Sequence, residues 1–319
     1  MAEKMIICLA SDDRYAAYMG VTIFSILKNA APEDAFHFYI LDNKISDENK
    51  QKIDSLQTYH PFEITYLPLD DKRLLACDPK HANWTVTIFG RYLIAELIAE
   101  DKVLYLDCDI LVRGSLSPLW KENIDNYYVA GMPDYNIIHR GHLRERFGAD
   151  FVADEYVNSG VLLINNKKWR EEELAQKLLD FSIQNRTLLS CPDQDAINYI
   201  CRSAKKMIPE RYNVMGYLYK PDLFLHHPRL KIIEQEREKA VIRHFHAWKK
   251  NFFVPYREEY ISLMRQSPWA DRAPQDDPKP LAWIKIVCNY LWRHPFCFLL
   301  PKFYKRWRLR GTNCLFLDY

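Results

Sequence analysis

Two aspartates stand in the middle of an apolar stretch, residues 102–112, whose sequence is KVLYLDCDILV. A carboxylate inside a buried strand loses hydration that only a partner or a metal ion can replace. Asp107 and Asp109 are two residues apart, so on a strand both side chains point to one side and Cys108 points to the other. Hard oxygen ligands of this kind suit Mg²⁺ or Mn²⁺, often completed by substrate phosphates. The pattern predicts a divalent metal site where the strand emerges, and its apolar flanks disfavour the alternative of a capped surface turn.

Three other polar segments have less specific patterns. Residues 243–250 (RHFHAWKK) place histidines, possible metal ligands, before two lysines that could contact phosphate, although a solvated loop has the same composition. Residues 191–195 (CPDQD) open a predicted helix, where either Asp193 or Asp195 could simply be an N-cap. Residues 157–160 (VNSG) place an amide and a hydroxyl at the start of a strand. Taken singly, none of these segments assigns a function.

The elements that carry these residues follow an alternating pattern. Strand-like runs at residues 5–10, 36–41, 64–67 and 102–107 alternate with helical spacing at residues 18–28, 46–56 and 87–97. Further along, strands are predicted at residues 157–164 and 240–245, and helices at residues 171–184 and 194–200. This order is typical of βαβ units, whose ligands bind beyond the carboxyl ends of the strands. The sequence therefore predicts an α/β domain with one Rossmann-like mixed sheet flanked by helices.

Composition restricts the function further. The net charge of +2 over 319 residues does not indicate a nucleic-acid binder. Neither GxGxxG nor GxxxxGK[ST] occurs, which argues against the usual NAD and P-loop sites. Eight scattered cysteines without a CxxC pair predict reduced thiols and a cytoplasmic location. The N-terminus is interpreted as a first strand rather than a signal peptide, and no apolar run is long enough to predict a membrane span.

The C-terminal end differs in composition from the rest of the chain. We predict a catalytic domain at residues 1–265, a Pro-rich, charged linker at 266–280 and a basic-aromatic helical tail at 281–319. The tail contains seven Lys and Arg residues and one acid, Asp318, interleaved with aromatic and aliphatic side chains. This composition predicts a segment that lies in a membrane interface against anionic lipid. A helix packed on the domain is the alternative, and the catalytic motifs disfavour RNA binding.

Six segments in order resemble glycosyltransferase family 8 over residues 4–265. They are ASDDRYA, FGRYLIAEL, KVLYLDCDILVRGSLSPLW, VNSGVLLINNKKW, DQDAIN and HFHAWKK. The nearest resemblance is to bacterial enzymes that add glucose or galactose to lipopolysaccharide or lipooligosaccharide cores. It implies a GT-A fold, a retaining reaction, a UDP-sugar donor and Mn²⁺ (or Mg²⁺). It also implies a glycolipid or oligosaccharide acceptor at the inner face of the cytoplasmic membrane.

The resemblance also implies residue roles. The metal ligands correspond to Asp107, Asp109 and His244. Donor-binding positions correspond to Ala10, Asp12, Tyr15, Arg91, Asp107, Cys108, Asn158, Asp193, Gln194 and Lys250. Asp12 matches the residue that pairs with uracil, Tyr15 the aromatic that packs on it, and Lys250 the lysine on the diphosphate. The catalytic positions correspond to Gln194, Asp193 and Asp134, with Asp134 a sugar-pocket or acceptor-side contact.

Two positions depart from the family pattern. Ala247 replaces a glycine that allows close approach to a phosphate, and Arg14 replaces a small polar residue beside the uracil site. Three other functions compete with hexosyl transfer to a core oligosaccharide: UDP-sugar binding without turnover, transfer to another glycan, and nucleotidyl transfer. The absence of a glycine-rich phosphate loop disfavours the last. Glucose and galactose differ in one epimeric hydroxyl, so the residue types predict either donor.

Overall fold

The computed structural model describes residues 3–77, 85–219, 229–245 and 257–273. Ala247, Lys250 and the predicted tail lie outside the described residues. Among the described residues, no helix combines the length and apolarity that crossing a bilayer requires.

The described strands form two sheets. In chain order they are β1 (Lys4–Asp12), β2 (Ala35–Asn43), β3 (Glu63–Pro68), β4 (Lys102–Leu106), β5 (Ile110–Val112), β6 (Val129–Pro133), β7 (Val157–Asn165), β8 (Lys205–Met207), β9 (Val214–Met215) and β10 (Ile242–His244). The main sheet has the order β3-β2-β1-β4-β7-β6-β8, and the small sheet has the order β5-β10-β9. In the main sheet β7 runs antiparallel between β4 and β6, and the other pairs are parallel. The predicted mixed sheet is therefore confirmed.

Helices connect and cover these strands. They are α1 (Ala16–Lys28), α2 (Asp47–Asp54), α3 (Lys72–Cys77), α4 (Ile94–Leu97), α5 (Ser117–Trp120), α6 (Tyr135–Arg140), α7 (Leu143–Phe147), α8 (Asn166–Glu171), α9 (Leu174–Gln184), α10 (Pro192–Ile200), α11 (Leu230–Glu238) and α12 (Arg257–Arg265). Ser46 caps α2 by accepting a hydrogen bond from the amide of Asn49. The central strands β1, β4 and β7 are buried along almost their whole length because helices cover both faces of the sheet.

The chain direction sets where the site forms. β1 and β4 are parallel neighbours, so Asp12 at the end of β1 and Asp107 after β4 emerge at the same edge of the sheet. β7 is antiparallel to β4, so its first residues, including Asn158, reach that edge as well. β5 follows Asp109 directly and pairs with β10, which places His244 opposite Ile110. Three strands and the small sheet therefore converge on one edge.

Two helix predictions differ from the structure. Residues 87–97 form mostly a 3-10 helix, Val86–Leu93, and only the last turn, α4, is α-helical. The β-branched residues that open the segment and Gly90 all disfavour α-helix, which is consistent with the tighter form. The helix predicted at 171–184 begins at Leu174, because Glu173 has a left-handed φ of 52° that separates α8 from α9.

The predicted linker is described as far as residue 273, and it is partly buried against the domain, whereas residues 270–272 are exposed. Trp269 is fully buried, and a 3-10 turn, Ala270–Arg272, follows it. The large aromatic side chain of Trp269 packs its part of the predicted linker against the domain. The boundaries of catalytic domain, linker and tail remain a prediction.

Candidate active site

The turn between β4 and β5 carries both aspartates of the DCD segment. The backbone N–H of Asp107 donates to the carbonyl of Gly160 on β7, at 2.9 Å. Thr22 of α1 holds the other side, because its Oγ1 lies 2.8 Å from the carbonyl oxygens of both Cys108 and Ile110. The turn is thus held between β7 and α1, and its two carboxylates remain partly exposed.

His244 faces these two carboxylates. Its Nε2 lies 3.1 Å from Asp109 Oδ1 and 3.7 Å from Asp107 Oδ2. Its Nδ1 lies 3.0 Å from Asn213 Oδ1, and Asn213 Nδ2 donates to Asn158 Oδ1 at 2.8 Å. That second bond fixes the amide of Asn213 with its oxygen toward the imidazole. His244 therefore carries a proton on Nδ1, and in the neutral ring Nε2, which lies beside the two carboxylates, is the nitrogen that can bind a cation.

The metal group, defined here as Asp107, Asp109 and His244, fits a divalent cation. Its potential ligand atoms all lie within 4.8 Å of one another. Gly160 leaves the space beside them open, since a Cβ there would lie 2.3 Å from His244 Cε1 and 2.7 Å from Asp107 Oδ2. Burial lowers the pKa of His244, but Asp109, by its charge and hydrogen bond, and Asp107, by its charge, outweigh burial and raise that pKa. Two carboxylates that favour a positive partner, with one imidazole, are a donor set suited to a divalent metal cation.

Arg91 joins the metal group to a third carboxylate, that of Asp193. Its guanidinium is buried, with Nη2 2.9 Å from Asp107 Oδ1 and Nη1 3.0 Å from Asp193 Oδ2. Nη1 also donates to the carbonyl of Ser159 at 2.8 Å, and the guanidinium lies over the ring of Tyr105. Burial raises the pKa of Asp193, Arg91 opposes this, and Asp107 adds to it. The carboxylates of Asp107 and Asp193 therefore lie close together, on either side of the Arg91 guanidinium.

Gln194, Asn158 and Asp134 form a continuous hydrogen-bond network beside Asp193. Gln194 Nε2 and Asn158 Nδ2 each donate to Asp134 Oδ2 at 3.0 Å. Gln194 Oε1 accepts from Asn158 Nδ2 at 3.0 Å and from the backbone N–H of Ser159 at 2.9 Å. All three side chains are buried. Since Asn158 also accepts from Asn213, the network extends without interruption to His244.

Asp195 has a different role from Asp193, although both open α10. Its carboxylate accepts from the backbone N–H groups of Ser190 and Cys191 and from the hydroxyl of Tyr156, and it pairs with Arg146. These bonds fix the start of α10, so Asp195 is structural. Asp193 instead faces Arg91. The N-cap of α10 is Cys191, so the N-cap alternative applies to neither aspartate.

The end of β1 forms the other side of the site. Asp12 Oδ1 accepts from the backbone N–H of Tyr15 at 3.0 Å, and Asp12 Oδ2 pairs with Arg14 at the same distance. The ring of Tyr15 is partly exposed. Ala10 and Cys108 join the two strand ends, because Cys108 Sγ lies 3.1 Å from the carbonyl of Ala10. Burial, followed by the charge of Asp109, raises the pKa of the Tyr15 phenol, so this end of the site adjoins the metal group.

The structure thus brings together every predicted site residue that it describes; Lys250 lies outside the described residues. Sequence reasoning missed Asn213, Gly160 and Ser159 as contributors to the geometry. Gly160 and Ser159 belong to the VNSG segment, whose pattern is uninformative by itself. Asn213 had no signal beyond being a polar residue before a short apolar run.

Comparison with known proteins assigns this geometry to a family. The model of glycosyl transferase family 8 matches residues 6–251. A putative glycosyltransferase of Haemophilus influenzae is 34% identical over 221 residues, which is 66% of this chain and 64% of that protein. Lipopolysaccharide 1,2-glucosyltransferase of Escherichia coli is 25% identical over 321 residues, 96% of this chain and 93% of that protein.

A solved structure agrees with these relatives. The galactosyltransferase LgtC, in complex with donor and acceptor sugar analogues, superimposes with a TM-score of 0.72 at 25% identity. The match covers 86% of this chain and 98% of LgtC, so the mixed sheet and its helices form a GT-A fold. The chain belongs to glycosyl transferase family 8, and it is a glycosyltransferase.

Proposed function

We propose that the protein transfers a hexose, glucose or galactose, from a UDP-sugar to a lipopolysaccharide or lipooligosaccharide core, with retention of configuration. The observation that carries the proposal is that Arg91 contacts both the metal group and Asp193. Asp193 and the adjacent buried network of Gln194, Asn158 and Asp134 form a polar pocket beside the metal group. A metal site beside a pocket of carboxylate and amide groups suits a substrate that has both a diphosphate and a sugar. The named substrate of the E. coli relative and the sugar analogues bound to LgtC support the acceptor class.

Different residues of the chain would contact the UDP leaving group and the sugar. A divalent cation, Mn²⁺ or Mg²⁺, held by the metal group would stabilise the negative charge that grows on the departing UDP. Asp12 and Tyr15 would hold the uracil, and Lys250 the diphosphate. Arg91 keeps Asp193 oriented, so that its carboxylate can accept hydrogen bonds from sugar hydroxyls.

The pocket favours attack by the acceptor on the same face from which UDP departs. Gln194 is an amide and a poor nucleophile, and both ends of its side chain already bond to neighbours. Asp193 is a carboxylate, but its Oδ2 is engaged by Arg91 and by the hydroxyl of Ser159 at 3.0 Å. The departing phosphate oxygen would therefore take the acceptor proton. A kinetically competent glycosyl adduct trapped on Asp193 would contradict this mechanism.

Donor hydrolysis tests the proposal. Purified protein is incubated with Mn²⁺ and UDP-glucose, UDP-galactose or UDP-N-acetylglucosamine, and UDP release is followed with and without EDTA. Asp109→Ala is compared with Asp101→Ala, a control at the other end of β4 whose carboxylate pairs with Arg170 on the surface. We expect release from one hexose donor, lost with EDTA and in Asp109→Ala but retained in Asp101→Ala.

Other outcomes identify the competing functions. UDP binding without release from any donor, unchanged in Asp109→Ala, would indicate a non-catalytic UDP-sugar-binding protein. Pyrophosphate as a product would indicate nucleotidyl transfer. UDP release that is not stimulated by core oligosaccharide but is stimulated by another glycan would change the acceptor and leave the donor chemistry in place.

A further inference from the structure

Trp269 occupies a slot in the surface of α1 that a glycine creates. A Cβ at Gly20 would lie 2.0 Å from Cη2 of Trp269 and 2.2 Å from Cζ3, so only glycine accommodates the indole there. The side chain is fully buried, and its Nε1–H donates to Asn49 Oδ1 at 2.8 Å. The indole is therefore held both by shape and by one directed hydrogen bond.

Asn49 connects Trp269 to the nucleotide loop, defined here as residues 12–15. Its Nδ2 donates to Asp13 Oδ1 at 2.8 Å, and the same oxygen accepts from the backbone N–H of Ser46 at 2.8 Å. Asn49 is itself buried in the first turn of α2. An unbroken chain of hydrogen bonds thus leads from Trp269 through Asn49 to Asp13.

The indole N–H decides which way the amide of Asn49 points. With its oxygen occupied by Trp269, the amide must direct its NH₂ group at the carboxylate of Asp13. The flipped amide would place NH₂ against an N–H donor and oxygen against a carboxylate, and both contacts are repulsive. Hydrogen bonds from Ser46, then from Asn49, lower the pKa of Asp13, and the charge of Arg272 acts in the same direction. The anchor of the loop is therefore a carboxylate whose charged form is stabilised.

We propose that Trp269 is a positioning residue for donor binding, which acts through Asn49 and Asp13 on the nucleotide loop. Asp13 lies between Asp12 and Tyr15, the residues assigned above to the uracil. Because Asn49 holds Asp13, both Asp12 and Tyr15 are kept in place before the donor binds. The loss of conformational entropy on donor binding is therefore smaller. The inference rests on the proposed use of a UDP-sugar, and it gives the segment after α12 a role in donor affinity.

The test replaces Trp269 with phenylalanine, which keeps an aromatic ring beside Gly20 and removes the N–H donor. We expect the dissociation constant for UDP with Mn²⁺, measured by calorimetry, and the donor KM to rise roughly three- to ten-fold, while kcat stays within about two-fold. The control is Trp169→Phe, an equally buried indole whose N–H donates to the carbonyl of Tyr128 beside β6 rather than toward the loop. It should lower the melting temperature and leave the UDP dissociation constant unchanged.

Asn49→Ala provides a second, independent measurement that does not alter the aromatic packing. It should weaken UDP binding at least as much as Trp269→Phe, and the double variant should bind UDP no more weakly than Asn49→Ala alone, because both act through one chain of contacts. If Trp269→Phe does not fold, Asn49→Ala still tests whether the contact with Asp13, through which Trp269 would act, affects UDP binding. Wild-type affinity for UDP in Trp269→Phe or in Asn49→Ala would overturn the inference. Absence of UDP binding to the wild-type protein would instead overturn the proposed function.

Discussion

His244 depends on a neighbour outside the metal group. The amide oxygen of Asn213 accepts the Nδ1 proton, and Asn213 is in turn oriented by Asn158. A bond of this kind selects the tautomer and fixes the plane of the ring, so the histidine is prepared to bind a cation before the cation arrives. Because Asn158 also contacts Gln194, a change at Asn213 should affect both the metal group and the network of Gln194, Asn158 and Asp134.

Replacing Asn213 with alanine should therefore weaken metal binding without removing any ligand. We expect the affinity for Mn²⁺, measured by the loss of free-ion signal in electron paramagnetic resonance, to fall about 10- to 100-fold. Asn185→Ala is the matched control, since the side chain of that asparagine donates to the carbonyl of Phe181 at the end of its own helix, away from the metal group. Unchanged Mn²⁺ affinity in Asn213→Ala would mean that the ring of His244 is held by other contacts.

Among the elements, β8 supports the site although it lies at the edge of the sheet. Lys205 on this strand is buried, and its Nζ donates to Asn198 Oδ1 at 3.1 Å. The side chain of Asn198 bonds to both the N–H and the carbonyl of Val157, each at 2.7 Å, and to the carbonyl of Gln194 at 2.9 Å. The β8–α10–β7 arrangement thereby fixes the strand start and the helix that carry Asn158 and Gln194.

The buried lysine gives the protein a specific pH dependence of stability. Burial lowers the pKa of Lys205 from 10.5 to about 8. Between these values the unfolded chain binds more protons than the folded one, so the contribution of Lys205 to stability rises with pH. Relative to Lys205→Met, the free energy of unfolding of the wild type should increase by up to about 1.4 kcal/mol per pH unit in this range.

Urea unfolding of both proteins at several pH values between 7 and 10 provides the comparison. Using the difference between the two proteins removes the contribution of tyrosines that titrate at high pH. A difference that does not change with pH would show that Lys205 keeps an ordinary pKa in the folded protein.

For the whole molecule, we propose that the predicted basic-aromatic tail, residues 281–319, binds a membrane while the catalytic domain carries out the reaction. A peripheral position at the cytoplasmic face of a membrane would bring the site close to a lipid-linked acceptor. Removal of residues 281–319 should abolish cosedimentation with vesicles that contain anionic lipid and leave UDP release unchanged. Retained vesicle binding would assign membrane contact to the catalytic domain. Loss of UDP release together with loss of stability would favour the alternative, a helix packed on that domain.

Much of this site was predictable from local sequence patterns. The apolar residues around Asp107 and Asp109 predict the end of a buried strand, although the two carboxylates converge in the turn between β4 and β5 and not along a strand. Alternating elements predict a sheet whose carboxyl edge binds ligands, and the ordered motifs predict the family that the family model assigns. The inferences about strands and sheet succeed because hydrophobic periodicity and strand direction are properties of short segments, whereas the family follows from the resemblance of the motifs.

The remaining features depend on contacts between segments far apart in the chain. His244 reaches Asp109 only because β10 pairs with β5, and Asn213 reaches His244 because β9 pairs with β10. The Trp269 side chain is buried because α1 has a glycine 249 positions earlier, at Gly20. By itself the sequence determined which residues could do the chemistry and which sheet edge would present them. Tertiary structure alone decided which amide orients the histidine and what anchors the nucleotide loop, because a hydrogen bond depends on distance and direction in space and not on separation along the chain.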